Sequence, residues 1–300
     1  MGDWYYRDGA RQNSLKVCPG CRNLVRSNEE FCPFCARRLR AEGGLRGVWK
    51  KVFSYPDAVT RFLLGFIVLV FLLQIVADVV TPGSGRNQGL MNLLTAKGWT
   101  YIRMGSNFHP FVLEFHQYWR WITSCFLHFG VIHILFNSWC LWDLGRLAER
   151  MWGGRQVFAA FILTGAAGSA LSFGWGILRD SPANSAGASG AICGLLGLFL
   201  GSYYKNRYAV GEFLGGQLVK WAVYILVFGL VMRADNAAHV GGMLAGAVLG
   251  YFLMPTHHTR SLSRDMKIWN TLAILASVMF VVSIGFAVWF FIVTIGVNPS

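Results

Sequence analysis

Charged side chains are scarce in this chain. Asp, Glu, Lys and Arg make up 14% of its 300 residues, against roughly 25% in soluble globular domains. Acid is the scarcer sign, with 14 Asp and Glu against 27 Lys and Arg and a formal net charge of +13. The shortage excludes an ordinary water-soluble domain, because hydrophobic residues fill 54% of the chain and the mean hydropathy is +0.44. An opening segment of signal-peptide type is missing: residues 1–50 are polar and basic, so the first apolar run is expected to be an uncleaved anchor. The ten-residue alternation of a membrane β-barrel is missing too. A broken-helix repeat and a buried carboxylate pair are both absent, which leaves a transporter without support.

What is present is a series of apolar runs near the length that spans a bilayer. Seven spans are expected: Arg61 to Val80, Val131 to Trp152, Val157 to Leu178, Ser189 to Tyr204, Phe213 to Met232, His239 to Leu253, and Ile268 to Val297. All should be helical, since lipid offers backbone groups no partner. The fold class is therefore an all-α polytopic membrane protein. Basic residues set its orientation. Residues 1–61 hold twelve of the 27, and an N-terminus inside puts 21 on the cytoplasmic side and six outside, with the C-terminus outside. The positive charge then reads as a topogenic signal and an attraction to anionic membrane lipids, with nucleic-acid binding the weaker reading.

In this topology spans two, four and six run in the same direction, and their first turns share the outer face. Ser189 opens span four, His239 opens span six, and His133 and Asn137 lie one helical turn apart at the start of span two. Polar residues at membrane depth are costly and point to function. A hydroxyl and an imidazole brought together there are a serine nucleophile and its general base. A helix N-terminus at Ser189 offers N–H groups to a developing oxyanion, and His133 and Asn137 can add side-chain donors. Taken singly, a Gly-rich serine segment or one membrane histidine is ordinary helix packing. The convergence of four groups is harder to obtain that way. No carboxylate is placed to orient His239: Asp235 is four residues earlier, in the outer loop, so a Ser-His dyad is expected rather than a triad. His109 and His116 fall in the long outer loop, leaving His128, His133 and His239 as the histidines near Ser189. Gly242, Gly246 and Gly250 repeat every fourth residue and are expected to bring span six close to span four.

The segments GASGAICGLLG (187–197), HFGVIHILFN (128–137), AHVGGMLAG (238–246), YWRWITSCFLH (118–128) and GRLAERMWGG (145–154) together resemble a rhomboid intramembrane serine protease. The resemblance implies a six-helix rhomboid core, residues 61–255, whose long first outer loop lies partly in the membrane. Residues 256–300 would then form a cytoplasmic loop and an added seventh transmembrane helix. It also implies that Ser189 is the nucleophile, His239 the base, and His133, Asn137 and the Ser189 N–H the oxyanion hole. Gly187 would bind the substrate backbone, and Gly242 would pack beside the dyad. Trp119 and Arg120 would steady the first loop, and Glu149 and Arg150 the inner end of span two. For catalysis the plainer reading of these four is kept, as an interfacial Trp and a solvated charge pair. The implied substrates are single-pass transmembrane proteins, cut near the outer face. One position departs: Cys193 stands where these proteases carry an aromatic platform for the base, which keeps alive a non-proteolytic, client-binding alternative. The host membrane is expected to be a bacterial plasma membrane.

The N-terminus is a separate unit. Cys18-Pro-Gly-Cys21 and Cys32-Pro-Phe-Cys35 form two C-x₂-C knuckles ten residues apart, spaced for a closed tetrahedral zinc site. Residues 1–45 are expected to be a cytoplasmic zinc ribbon, with the metal structural, a possible protein partner on that side, and residues 46–60 a basic linker. Catalysis itself needs no cofactor. Ser181 to Ala188 is a small, polar stretch that either borders a substrate entrance or is an ordinary loop.

Overall fold

The computed structural model describes residues 15–18, 23–26, 29, 32–34, 39, 57–80, 98–181, 183–205, 212–231, 234–253 and 262–297. The chain divides into two compact units, Met1–Tyr55 and Pro56–Ser300.

In the first unit β1 (Leu15–Val17) and β2 (Leu24–Arg26) pair antiparallel, with Lys16 opposite Val25. The Cys18 N–H donates to the Asn23 carbonyl at 2.9 Å. Cys18, Val25 and Cys32 are buried together, with Leu39 packed on them. Leu15, Val17 and Leu24 face outward. Two of the four cysteines expected to hold zinc, Cys21 and Cys35, lie outside the described residues. Among the described residues no three His, Cys, Asp or Glu side chains gather as a metal site. The two described cysteines, one from each C-x₂-C pair, lie in one small buried cluster.

The second unit is helical. It contains α1 (Ala58–Val80), α2 (Gly98–Met104), β3 (Asn107–Phe108), α3 (His109–Phe115), α4 (Arg120–Thr123), α5 (Val131–Trp152), α6 (Gly154–Leu178) and β4 (Asn184–Ser185). Then follow α7 (Ser189–Lys205), α8 (Glu212–Val231), α9 (Asn236–Phe252) and α10 (Leu262–Thr294). Three of these, α1, α6 and α10, are by themselves long and apolar enough to cross a membrane. A fourth candidate is α5 taken with the preceding Arg120–Phe126 segment, from which it is bent by 95°. The chain is an integral membrane protein. The bend turns α4 and the Ser124–Phe126 turn away from the axis of α5.

Helix α7 lies at the centre: its residues Gly190 to Phe199 are all buried. It meets α9 backbone to backbone. A Cβ built on Gly242, Gly246 or Gly250 would stand 2.0, 1.9 or 2.0 Å from the carbonyl oxygens of Gly190, Gly194 and Leu198. From the other side, Gly197 and Gly201 face the carbonyls of Met243 and Ala247, each at 2.0 Å. No side chain fits at these points, so the small residues set how closely the two helices approach.

Several element ends differ from expectation. Helix α9 starts at Asn236, three residues before His239, because Asp235 caps it: its carboxylate accepts the Ala238 N–H at 3.0 Å. His239 therefore sits at the end of the first turn rather than at the helix start. Glu149 is not part of a solvated pair. Its carboxylate accepts the Thr60 hydroxyl at 2.6 Å and the N–H groups of Thr60 and Val59, tying α5 to the N-terminus of α1. Arg120, which the resemblance places in the first loop as a steadying residue, is fully buried.

Candidate active site

Ser189 begins α7, and what precedes it decides the site's shape. Gly187 has φ +139°, a conformation that L side chains rarely adopt. A Cβ there would lie 2.7 Å from His133 Cε1 and 3.6 Å from Asn137 Nδ2. The backbone thus turns into α7 directly against two side chains of α5. The Gly187 N–H is held by the Ser124 carbonyl at 2.9 Å. The stretch before Ser189 is ordered by pairing: β4 lies antiparallel to β3, with Asn107 opposite Ser185 and Phe108 opposite Asn184. Asn107 Nδ2 donates to the Ser169 carbonyl at 3.0 Å, fastening β3 to α6.

Across α7, His239 Nε2 is 2.8 Å from Ser189 Oγ, within hydrogen-bonding distance. The imidazole is 8% exposed. It packs toward α8, where a Cβ on Gly229 would stand 3.6 Å from its Cε1. Cys193 is fully buried on α7. On the other side of the nucleophile, Asn137 is 2% exposed, and its Nδ2 has no hydrogen-bond partner among the described residues. A buried amide left without an acceptor costs about 1–3 kcal/mol. The amide lies beside Gly187, two residues before Ser189 in the chain. Phe129 stacks on the His133 ring at 6.0 Å, and His128 meets it edge-on at 5.0 Å, so the ring is held by aromatic neighbours on two sides.

Two groups near the dyad were not anticipated from the sequence. His109, assigned to the outer loop and set aside, is buried at the start of α3. Its Nε2 lies 3.5 Å from Ser172 Oγ, and the Ser172 hydroxyl donates to the Asp235 carboxylate. Burial holds His109 below its ordinary pKa, with the Asp235 charge opposing. Asp235, expected in the outer loop, is the cap of the helix that carries His239, and its carbonyl accepts the His239 N–H at 3.2 Å. The signal for Asp235 was present: an Asp directly before a run of helix formers is an N-cap pattern. No sequence signal pairs His109 with Ser172, which is 63 residues away.

A cavity of about 820 Å³ opens onto Ser189 and His133. Its polar wall is built from Ser169, Ser172, Arg179, Ser181 and Asp235, and its apolar wall includes Phe129, Ile132 and Trp175. The expected border segment, Ser181 to Ala188, contributes most of its residues to this lining.

The chain is 37% identical over 148 residues to rhomboid protease GluP of Bacillus subtilis (strain 168), which covers 49% of this chain and 28% of that protein. It is 33% identical over 165 residues to RHOMBOID-like protein 7 of Arabidopsis thaliana, covering 54% of this chain and 51% of the relative. Over 145 residues it is 33% identical to rhomboid protease GlpG of Yersinia pestis (strain Pestoides F), covering 46% and 49%. The chain thus spans about half or less of the length of these curated relatives. Residues 115–256, the segment that carries Ser189, His239, His133, Asn137 and Gly187, match the rhomboid domain.

Proposed function

We propose that this protein is a rhomboid-family intramembrane serine endopeptidase that cleaves single-pass transmembrane proteins near the outer membrane face. The observation that carries the reading is the pairing of Ser189 Oγ with His239 Nε2 at 2.8 Å beside an unsatisfied Asn137 amide. Ser189 Oγ attacks the scissile carbonyl carbon while its proton passes to His239 Nε2. The carbonyl oxygen becomes an oxyanion, which accepts from Asn137 Nδ2, His133 and the Ser189 N–H at the start of α7. Collapse of this intermediate breaks the C–N bond, and His239 returns the proton to the leaving amine. Water, deprotonated by His239, then hydrolyses the acyl-enzyme and regenerates the hydroxyl. Gly187 leaves room for the substrate backbone on the oxyanion side. A transmembrane helix must unwind to enter the cavity, so residues of low helix propensity near the scissile bond favour cleavage.

The protein's N-terminus and basic loops belong on the cytoplasmic side and its active site on the outer side of a bacterial plasma membrane, by the distribution of Lys and Arg. The first unit is a zinc ribbon in which Cys18, Cys21, Cys32 and Cys35 would hold a structural metal. The burial of Cys18 and Cys32 in one core with Val25 supports that reading. Bound zinc would supply folding energy to the unit and no chemistry to the dyad. A serine-directed fluorophosphonate tests the function: labelling at Ser189 supports it, and an unlabelled, folded wild type favours the client-binding alternative.

A further inference from the structure

The outer loop is organised around a buried cation. Arg120, the first residue of α4, is 0% exposed. Its Nε donates to Gln117 Oε1 at 2.7 Å, and its Nη1 donates to the carbonyls of Ile102 and Ser106 at 2.6 and 3.1 Å. Nη2 has no hydrogen-bond partner, and no carboxylate among the described residues pairs with the group. Three aromatic rings face the guanidinium instead: Trp119 at 4.6 Å, Phe290 at 4.9 Å and Phe111 at 5.0 Å. A cation taken out of water needs other groups in place of solvent, and ring faces supply part of that through their quadrupoles.

Two of the rings belong to the loop itself. The third belongs to α10, which lies beyond the segment 115–256 that matches the rhomboid domain. Phe290 also contacts Phe111 and Trp119, at 6.0 and 5.9 Å between centroids. Past the end of α10, the Val297 carbonyl accepts from Arg103 of α2. Lower down, Phe280 is inserted among Phe62 and Phe66 of α1, Phe126, and Phe158 of α6. Helix α10 is therefore packed onto the helical unit, and its outer end closes on the loop.

From Arg120 the path to the nucleophile is short. Helix α4 runs into the turn Ser124–Phe126. The Ser124 carbonyl holds the N–H of Gly187, two residues before Ser189. Gly187 in turn sits against His133 and Asn137. A displacement of about 1 Å at a reacting geometry can cost about 10²-fold in rate, so the register of α4 bears on catalysis.

We propose that α10 is a working part of the catalytic unit: Phe290 closes the ring cage on Arg120 and so holds the outer loop in the register that sets Gly187 against His133 and Asn137. Phe290 is a positioning residue and touches no reacting atom. The activity readout of this inference rests on the protease reading given above; its structural readout does not.

The test uses the full-length protein in liposomes, with Phe290→Leu, Phe290→Tyr and Ile292→Ala. Leu keeps most of the side-chain volume and removes the ring face; Phe290→Met replaces it if that protein does not accumulate. For Phe290→Leu, kcat for cleavage falls about tenfold or more while KM stays within about twofold, and fluorophosphonate labelling of Ser189 slows by a similar factor. Amide exchange across residues 98–126 speeds up in the same protein. Phe290→Tyr restores all three, and Ile292→Ala, on the 65% exposed face of α10, changes none. Wild-type kcat and wild-type exchange in Phe290→Leu would overturn the inference. A wild type that neither cleaves nor labels removes the protease reading instead. The exchange across residues 98–126 then decides alone, faster in Phe290→Leu supporting the cage and unchanged contradicting it.

Discussion

Asn137 illustrates a residue kept at a cost to the fold. Its buried Nδ2 lacks a partner among the described residues, so replacing it with Ala removes an unsatisfied donor and should leave thermal unfolding unchanged or slightly higher. The same change should lower kcat by about 10²–10³, the usual loss for one oxyanion donor. Activity and unfolding temperature falling together would mean that Asn137 is structural. Asp235 is the opposite case. Its carboxylate caps α9 and accepts from Ser172, so Asp235→Ala should destabilise by about 1 kcal/mol. It should also slow cleavage through the displaced first turn of His239. Asp235→Asn keeps the cap acceptor and should recover most of the stability, as measured by chemical or thermal unfolding in detergent. Equal stability of the Ala and Asn proteins would remove the capping role. At this scale the sequence was informative where chemistry is local. Ser189, His239, His133 and Asn137 were singled out from residue type and position in an apolar run, and the structure brings them together. Arg120, Glu149, His109 and Ser172 were misjudged or missed. Apart from Gln117, three residues before Arg120, their side-chain hydrogen-bond partners lie 14 to 90 residues away, and no periodicity reports such contacts.

At the scale of elements, the contact between α7 and α9 fixes the distance from Ser189 to His239. The glycines on both helices leave no room for a Cβ, with carbonyl oxygens 1.9 to 2.0 Å from where it would be. Gly246→Ala should therefore force the helices apart, destabilise the protein by roughly 1–3 kcal/mol, and reduce cleavage although residue 246 touches neither catalytic group. Gly65→Ala, on α1 with nothing within 4 Å, is the control and should be neutral or slightly stabilising. A Gly246→Ala protein with unchanged unfolding and activity would contradict the packing account. The positions of α1, α5, α6 and α10 were legible as apolar runs, because the bilayer demands length and hydrophobicity before anything else. Their partners were not. An apolar run looks the same whether it faces lipid or protein, which is why the docking of α10 on the outer loop was invisible. Helix α9 starts three residues before the expected span at His239, because the Asp235 cap adds the turn Asn236–Ala238 ahead of it.

For the whole molecule, two compact units are expected to respond separately. Zinc removal by a strong chelator should unfold or loosen Met1–Tyr55, seen as faster proteolysis of that unit, and leave fluorophosphonate labelling of Ser189 within about twofold. Loss of labelling on chelation would mean that the ribbon acts on the dyad. The division into a polar, cysteine-bearing N-terminus and an apolar remainder was plain in composition, since charge and hydropathy change abruptly near residue 60. The central claim concerns the second unit, and one measurement reaches it directly: cleavage of a panel of single-pass segments in liposomes by wild type and by Ser189→Ala, with product ends read by mass spectrometry. Product from the wild type alone, with ends near the outer face, is the result the account predicts. Equal product from Ser189→Ala would contradict the dyad, and bound but uncut segments with the wild type would contradict proteolysis itself.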